Sequence, residues 1–206
     1  MIVTTKALAA ACAVDLLASP LIAQEMVEEP STHKQFAKSI VVEHDGTSYE
    51  LTISGVAARK KFVFKVYGIA HYMENTSFSD EGAALEAALG DAGGAKRIVM
   101  DFARDVDAEK IQGAYREGFE KNSSEEEWKE IAPKIGEFLA YYGQDVKENE
   151  QYVLTWLPGG TLIAIVGGEE MTPIESEALA RVLWRIWLGE DSIVDRDKLV
   201  KLAIGG

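Results

Sequence analysis

Hydrophobic and polar positions alternate along RKKFVFKVYGIAHYME, residues 59 to 74. A period of two is typical of a β-strand, so the pattern predicts one long strand from about residue 61 to 74. One face is apolar or small throughout, whereas the other mixes polar and aliphatic side chains: Val63, Lys65, Tyr67, Ile69, His71 and Met73. Such a mixture suits the wall of a ligand cleft, in which a few polar groups orient an apolar ligand. The alternative is a half-exposed structural face, where Lys65 extends to water and Tyr67 bonds to the backbone.

Further strands are predicted on either side of turn signals. Two β-rich runs, at about residues 39–43 and 48–54, surround Asp45 and Gly46, the dipeptide of a tight hairpin turn. The run KRIVMDF, residues 96–102, predicts another strand. QYVLTWLPGGTLIAIVGG predicts a second hairpin around residues 158–160.

Two amphipathic helices are predicted in the middle of the chain, where apolar residues recur every three or four positions. They span about residues 107–121 and 125–142, and one of the two serines before the second helix caps it. A short helix is expected in EGAALEAALG. A helix with a broad buried face begins at Thr172 and runs to Leu188, and a last short helix, DRDKLVKLA, closes the chain.

The N-terminus, MIVTTKALAAACAVDLLASPLIA, combines one lysine with an apolar run and small residues. This composition predicts a secretory signal peptide over residues 1–23, a polar leader over 24–37 and one domain over 38–206. A cleaved signal would place the protein in the periplasm or outside the cell. The alternative is an N-terminal helix of the mature fold, since Asp15 interrupts the apolar run. That run is too short for a stable membrane span.

An acidic composition limits the partners. The chain of 206 residues has 34 acidic and 21 basic side chains, which gives a formal net charge of -13. This balance argues against nucleic acid and against an anionic membrane surface, because both require a basic face. The densest basic spot in the chain is formed by Arg59, Lys60, Lys61 and Lys65.

Common catalytic signatures are absent from the sequence. There is neither a phosphate-binding glycine loop nor a GxSxG elbow, and the three histidines lack the spacing that brings two imidazoles to one metal. The single cysteine, Cys12, lies in the predicted signal peptide, so the mature chain would have no thiol. We therefore expect no metal and no cofactor.

Three stretches of the chain carry a resemblance: LTISGVAARKKFVFKVYGIAHYM, IVMDFARDVDAEKIQGAYREGFEKN and ALARVLWRIWLGED. They resemble the chalcone isomerase-like family, especially its secreted bacterial members, over roughly residues 38 to 203. The most specific pieces are GxxxRKK before a KVY strand and the helix end IWLG. The resemblance implies an α+β open-faced β-sandwich, a large antiparallel sheet with helices packed on one face and a ligand cleft between the two.

The resemblance also implies site residues. In the family's plant enzymes, an arginine and a threonine on strands hold the oxyanion and a water, assisted by a tyrosine and an asparagine on a helix. Matched by motif, these four correspond to Arg59, Tyr67, Asp107 and Ala114. Asp107 would add negative charge beside a developing anion, so this position does not suit the isomerase. In the fatty-acid-binding branch, the arginine persists beside a tyrosine and the pair grips a carboxylate, which favours binding without catalysis here.

The predicted straight strand conflicts with this arginine–tyrosine pair. Arg59 and Tyr67 would lie about 27 Å apart at about 3.3 Å per residue, so one head group reaches both only if the chain reverses. No Gly, Pro or Asn lies between them to make that turn. If the strand is straight, Lys65 and His71 become the cations near Tyr67. The candidate ligand-binding set is therefore Arg59, Tyr67, Lys65 and His71.

Three functions stay open at this point. The first is a non-catalytic protein that binds a hydrophobic carboxylate, such as a fatty acid, in the cleft between sheet and helices. The second is an intramolecular lyase of the chalcone isomerase type that acts on a phenolic substrate. The third is a structural or interaction domain whose cleft is filled by its own side chains.

Overall fold

The structure is a computed structural model that describes residues 24–205. The predicted signal peptide, residues 1–23, lies outside the described residues. The strands are β1 (Met26–Glu28), β2 (Gln35–Ala37), β3 (Ser39–His44), β4 (Thr47–Lys61), β5 (Phe64–Met73), β6 (Lys96–Phe102), β7 (Gln151–Trp156), β8 (Thr161–Val166), β9 (Glu169–Glu170) and β10 (Ile174–Glu175). The helices are α1 (Glu81–Leu89), α2 (Ala108–Asn122), α3 (Glu125–Ala140) and α4 (Glu177–Leu188).

An antiparallel sheet of eight strands forms one layer of the fold. Its order is β10-β8-β7-β6-β5-β4-β3, and β9 pairs with β8. The main hydrophobic core lies between one face of this sheet and the four helices. The predicted class, an α+β open-faced β-sandwich with helices on one face, is confirmed.

The first predicted hairpin is also confirmed. β3 and β4 pair up to His44 opposite Thr47. Asp45 and Gly46 between them have φ angles of 47° and 76°. Positive φ at both positions is the backbone that a tight two-residue hairpin turn requires.

The prediction of one straight strand over residues 61 to 74 is wrong, because the chain reverses at Phe62 and Val63. β4 ends at Lys61, β5 begins at Phe64, and these two residues are paired. Phe62 has a φ of 56°, a left-handed conformation that bulky side chains rarely adopt. The turn contains no Gly, Pro or Asn, which is why the sequence pattern gave no sign of it.

Helices α2, α3 and α4 cover the sheet with the apolar faces that their periodicity predicts. The predicted serine cap of α3 is Ser124, whose side chain accepts a hydrogen bond from the Glu127 backbone N–H. The Glu127 carboxylate in turn accepts one from the Ser124 backbone N–H, which completes a capping box. The buried residues on the helix faces include Ile111, Tyr115, Phe119, Ile131, Ile135, Phe138, Leu183, Trp184 and Trp187.

Residues 24–37, expected to be a polar leader, form the β1–β2 hairpin on the other face of the sheet. Phe36 of this hairpin is buried in a second core cluster with Leu51 and Ile53. The Tyr72 hydroxyl donates to the carbonyl oxygen of Ala37 at 2.9 Å. This segment is therefore packed as part of the folded unit.

The start of α4 differs from the prediction. The helix begins after Ser176, whose side chain accepts from the backbone N–H of Leu179, and not at Thr172. Ile174 is instead buried in β10, where it pairs with Leu162 of β8. Strand pairing at a buried position thus overrides the local helix-capping signal.

The predicted last helix is a pair of short 3-10 turns, Asp197–Leu199 and Lys201–Ala203. They lie against β4 in the part of the strand that β3 does not reach. At Gly55 an added Cβ would lie 2.0 Å from the carbonyl oxygen of Lys198, so only glycine permits this close approach. Leu199, Val200 and Ala203 join the main core, so the C-terminal segment packs on the helix-side face of β4.

Candidate functional site

Arg59 and Tyr67 are direct partners across the β4–β5 hairpin. Cross-strand partners in an antiparallel pair project from the same face of a sheet, and here that face is covered by the helices. The Arg59 guanidinium donates to the carbonyl oxygen of Ile193 at 2.7 Å. The Tyr67 hydroxyl accepts a hydrogen bond from the indole N–H of Trp187 at 2.9 Å. The reversal at Phe62 thus brings together the two residues that a straight strand would separate.

The Tyr67 hydroxyl is placed to donate a hydrogen bond. Tyr67 is 7% exposed, and burial raises its pKa to about 12, although the Trp187 hydrogen bond and the Arg59 charge act to lower it. The phenol therefore keeps its proton at neutral pH. Among residues 24–205, no acceptor lies within hydrogen-bond distance of that proton. A cation and a free phenol donor side by side are the groups that bind a carboxylate.

A layer of aromatic rings fills the space between sheet and helices around Tyr67. On the sheet, the Tyr67 ring lies 5.5 Å from Phe102, which lies 5.0 Å from Tyr152, between ring centroids. On the helix side, Tyr115 and Tyr142 are 4.7 Å apart, and Tyr142 is 5.4 Å from Tyr152. In the described part of the chain, side chains occupy the place expected for a cleft.

Tyr142 contributes an unpaired polar group to this layer. Its hydroxyl is buried and makes no hydrogen bond of good geometry among residues 24–205, and its polar neighbour there is the Tyr115 hydroxyl. Burial raises the pKa of this phenol well above its ordinary value, so it stays neutral. An unpaired buried hydroxyl costs about 1–3 kcal/mol. The group can therefore bond to any polar atom that enters the aromatic layer.

His71, which the sequence placed on the cleft wall, is fully buried in a closed hydrogen-bond network. Its Nε2 accepts from the indole N–H of Trp184 at 3.2 Å, so Nδ1 carries the proton and donates to Ser54 Oγ at 2.7 Å. Ser54 then donates to the carbonyl oxygen of Leu199 at 2.8 Å. Burial, assisted by the charge of Lys96, lowers the pKa of His71 to about 3. The neutral imidazole supplies no cation to a ligand.

Lys96 is a buried cation close to this network. Its Nζ lies 3.8 Å from the centroid of the Trp156 ring, which is a cation–π contact. Burial lowers the pKa of Lys96 to about 8, and the charge of Asp91 opposes this shift. The Trp156 ring covers the ammonium group, so Lys96 belongs to the packed interior.

Lys65 lies at the far end of the β4–β5 hairpin and is exposed. It pairs with Lys60, after a register shift that follows Arg59. The structure therefore does not bring Lys65 to Tyr67. The reason is the chain reversal, which places Lys65 beyond the layer that the helices cover.

Asp107 and Ala114, the other family-equivalent positions, lie on the outside of the molecule. Asp107 precedes α2 and forms an ion pair with Lys110, whose hydrogen bond and charge lower the pKa of the carboxyl. Ala114 is exposed on α2, whereas its neighbour Tyr115 is buried in the aromatic layer. Neither Asp107 nor Ala114 joins the pair of Arg59 and Tyr67.

Two surface pockets among those formed by the described residues lie away from Tyr67. One, of about 290 Å³, lies beside Trp128 at the junction of α2 and α3, and the other, of about 230 Å³, lies beside Lys60 and Ile193. Within residues 24–205, no group of three or more His, Cys, Asp or Glu side chains is arranged to hold a metal ion. The same residues contain no helix that is both long and apolar enough to cross a membrane.

Comparison with known proteins now identifies the family. The family model described as chalcone isomerase-like matches residues 33–203. The chain belongs to the chalcone isomerase-like family. A search of curated protein sequences found no match.

A solved structure with the chalcone isomerase-like fold is similar to this chain. It is a fatty-acid binding protein of Arabidopsis thaliana, with 18% sequence identity and a TM-score of 0.67. The match covers 87% of this chain and 98% of that one. At this identity the likeness concerns the fold, and it supports the architecture described above.

The structure shows two further residues at the site, Trp187 and Tyr142, that were not predicted to belong to it. Trp187 was expected on the buried face of α4, and it is buried, but its hydrogen bond to Tyr67 was not foreseen. A buried indole N–H needs a partner, which is a signal for such a bond but does not name the acceptor. Tyr142 was expected as a core residue at the end of α3, and its unpaired hydroxyl had no signal in the sequence.

Proposed function

We propose that the protein binds a hydrophobic carboxylate, such as a fatty acid, without converting it chemically. The observation that carries this proposal is the adjacency of Arg59 and Tyr67 across one hairpin. The guanidinium provides charge, and the free phenol proton provides a second hydrogen bond to the carboxylate oxygens. Both groups stand at the edge of an aromatic layer that suits an acyl chain.

The fold comparison supports the same proposal. The similar structure from Arabidopsis thaliana is that of a fatty-acid binding protein, and nearly its whole length matches this chain. Since the two sequences are 18% identical, the support lies in the shared architecture. The ligand-contacting residues are therefore proposed from this chain's own geometry.

The acyl chain has to enter a layer that side chains already fill. Binding would therefore require α2 and α3 to move away from the sheet, and the rings of Phe102 and Tyr115 to change position. The apparent affinity for the ligand is then the affinity of the open form multiplied by the fraction of molecules that are open. The unpaired Tyr142 hydroxyl favours opening, because a ligand or water that enters would give it a partner.

Palmitate binding measured by isothermal titration calorimetry tests this proposal. Arg59→Gln removes the cation and is expected to weaken palmitate binding at least tenfold, because a charge-assisted hydrogen bond contributes about 1.5–3 kcal/mol. Tyr67→Phe removes the donor and is expected to weaken it about fivefold. Arg116→Gln, a matched change at an exposed arginine of α2, is expected to leave the affinity unchanged.

Native mass spectrometry of protein purified without delipidation provides a second test. We expect acyl chains to copurify with the wild type and to be lost from Arg59→Gln. If no acyl chain copurifies and palmitate gives no saturable heat, the protein does not bind fatty acids.

That negative result would favour a second candidate function, a structural or interaction domain. The observation behind it is the filled aromatic layer around Tyr67 and Tyr142 in the described residues. We do not propose an intramolecular lyase, since Asp107 and Ala114 are exposed and lie apart from the pair of Arg59 and Tyr67.

We also propose that residues 1–23 direct export, which would place the protein in the periplasm or outside the cell. The support is the composition of that segment, a lysine followed by an apolar run and small residues. N-terminal sequencing of the protein from its native source tests this. A mature chain that starts near Gln24 is expected, and a chain that retains residues 1–23 would contradict export by cleavage.

A further inference from the structure

The β4–β5 hairpin ends in an exposed apolar tip formed by Phe62, Val63 and Phe64. These side chains are 91%, 86% and 57% exposed. β6 accompanies β5 only as far as Val66, whose carbonyl oxygen accepts from the N–H of Ala103. The tip therefore extends about 10 Å beyond the neighbouring strand, at about 3.3 Å per residue. Three consecutive apolar side chains in water are unfavourable unless another surface covers them.

Four cations surround this apolar tip. Lys60, Lys61 and Lys65 are exposed on the hairpin itself, and Arg104 lies with its guanidinium 5.1 Å from the centroid of the Phe64 ring. None of the four forms an ion pair with a carboxylate among residues 24–205, although ten other lysine or arginine ion pairs occur there. The positive charge of the tip is therefore not bound in ion pairs, although the formal net charge of the chain is -13.

The backbone of the tip carries strain that the folded chain does not need. Phe62 adopts a φ of 56°, a conformation in which glycine or asparagine is far less strained. The side chain held in this way contacts solvent and not the protein core. A strained residue that gives the fold no packing in return is evidence for a role outside the fold.

We propose that the tip of the β4–β5 hairpin docks on the surface of an anionic lipid bilayer. Phe62, Val63 and Phe64 would insert at the level of the headgroups, while the three lysines and Arg104 bind anionic headgroups. This combination of apolar and basic side chains is what interfacial membrane-binding segments use. In this arrangement none of residues 24–205 crosses the bilayer.

The overall negative charge does not oppose this contact. Charges are screened over about 8 Å at physiological ionic strength, so the bilayer senses mainly the groups at the tip. The negative net charge of the chain argued against a membrane surface. The tip of the β4–β5 hairpin is nevertheless a local site of positive charge. A second copy of the chain is a poorer partner for the tip, because pairing two tips would bring their lysines together.

The docking proposal is independent of fatty-acid binding, although it would place the Arg59–Tyr67 pair beside a source of acyl chains. Vesicle binding is measured without added fatty acid, and palmitate binding is measured without vesicles. A failure of one proposal therefore does not imply a failure of the other.

Flotation with lipid vesicles tests the docking, using the chain from residue 24. We expect binding to vesicles of phosphatidylglycerol and phosphatidylcholine in 50 mM salt, and little binding to vesicles of phosphatidylcholine alone. Phe62→Ser with Phe64→Ser is expected to reduce binding at least tenfold. Lys60→Gln with Lys61→Gln is expected to reduce it about 25-fold, since each cation near an anionic surface contributes about fivefold.

Matched controls change the same residue types elsewhere on the surface. Lys129→Gln with Lys201→Gln removes two exposed lysines, and Val41→Ser with Leu202→Ser removes two exposed apolar side chains. Both controls are expected to float as the wild type does. All variants should unfold near the wild-type temperature, because the altered side chains are exposed.

Two results would overturn the proposal. One is the absence of binding to anionic vesicles in 50 mM salt, and the other is binding that the control variants reduce as much as the tip variants do. If sedimentation shows instead a dimer that Phe62→Ser dissociates, while vesicles are not bound, the tip is a contact between copies and membrane docking is excluded.

Discussion

The indole N–H of Trp187 donates to the hydroxyl of Tyr67 at 2.9 Å, in the buried layer between α4 and β5. This bond joins the helix to the strand that carries the proposed carboxylate site. Because Tyr67 also lies opposite Arg59, the position of the phenol depends on both the hairpin register and the packing of α4. The site and the fold are thus coupled through one hydrogen bond.

Breaking this bond is expected to destabilise the fold. Tyr67→Phe would leave the Trp187 N–H buried without a partner and lower the free energy of unfolding by about 1–3 kcal/mol. In a double-mutant cycle with Trp187→Phe, measured by urea unfolding, we expect a coupling of about 1 kcal/mol between the two positions. Strictly additive effects would show that the bond contributes nothing.

The buried His71 is expected to make the fold sensitive to acid. Its pKa is about 3 in the folded chain and about 6.5 when unfolded. Between these values the unfolded state binds a proton that the folded state does not, so stability falls as pH falls. The free energy of unfolding falls by about 1.4 kcal/mol for each pH unit below about 6.5. The full stabilising contribution of the neutral His71 is therefore present only above that pH.

Urea unfolding from pH 7 to pH 4.5 measures this slope. His71→Asn is expected to be less stable at pH 7, since Trp184 loses its acceptor, but to show a flatter pH dependence. An equal slope in His71→Asn and wild type would contradict the neutral, buried state of His71.

Glycine at position 62 is expected to relieve the strained turn. Phe62→Gly removes a side chain that is 91% exposed and permits the φ of 56° without strain. We expect the free energy of unfolding to rise by about 0.5–1 kcal/mol. Val63→Gly, next to it but not in the left-handed region, should lower stability instead. A loss of stability in both variants would show that the Phe62 backbone is not strained.

The close contact of the C-terminal turns with β4 is also testable. Gly55→Ala would place a methyl group against the Lys198 carbonyl oxygen and lower the free energy of unfolding by about 1–3 kcal/mol or more. Gly136→Ala, in α3 with no atom within 4 Å of the new Cβ, should raise it by about 1 kcal/mol. Thermal unfolding compares the two. If Gly55→Ala is neutral, the C-terminal turns do not lie against β4.

Periodicity identified most elements of the fold. α2 and α3 were predicted because their apolar residues recur at helical spacing, and the turn at Asp45 and Gly46 because its residue types favour positive φ. The turn at Phe62 was missed because its residues are strand formers, and strand pairing forces the chain to reverse there. For the same reason Ile174 lies in a strand, although a helix cap was predicted before it.

The candidate site was predicted less well than the fold. Arg59 and Tyr67 were found through the family resemblance, and their adjacency became clear only when the hairpin register was known. Lys65 and His71 were chosen from a straight strand, which the reversal replaced. The alternation of apolar and polar residues shows which face of a strand a residue occupies, but it does not show whether water reaches that residue. The burial of His71 and the exposure of Lys65 therefore could not be predicted from the pattern.

The part of β4 that β3 leaves unpaired is packed against Asp197–Leu199 and Lys201–Ala203, which follow every other helix and strand of the described residues in chain order. During synthesis this part of β4 therefore gains its cover after all the other elements have been made. Until then the nascent sheet would expose the face of β4 that these turns bury in the folded chain. A chaperone that shields this face would have its greatest effect while the residues between β4 and Asp197 are being synthesised.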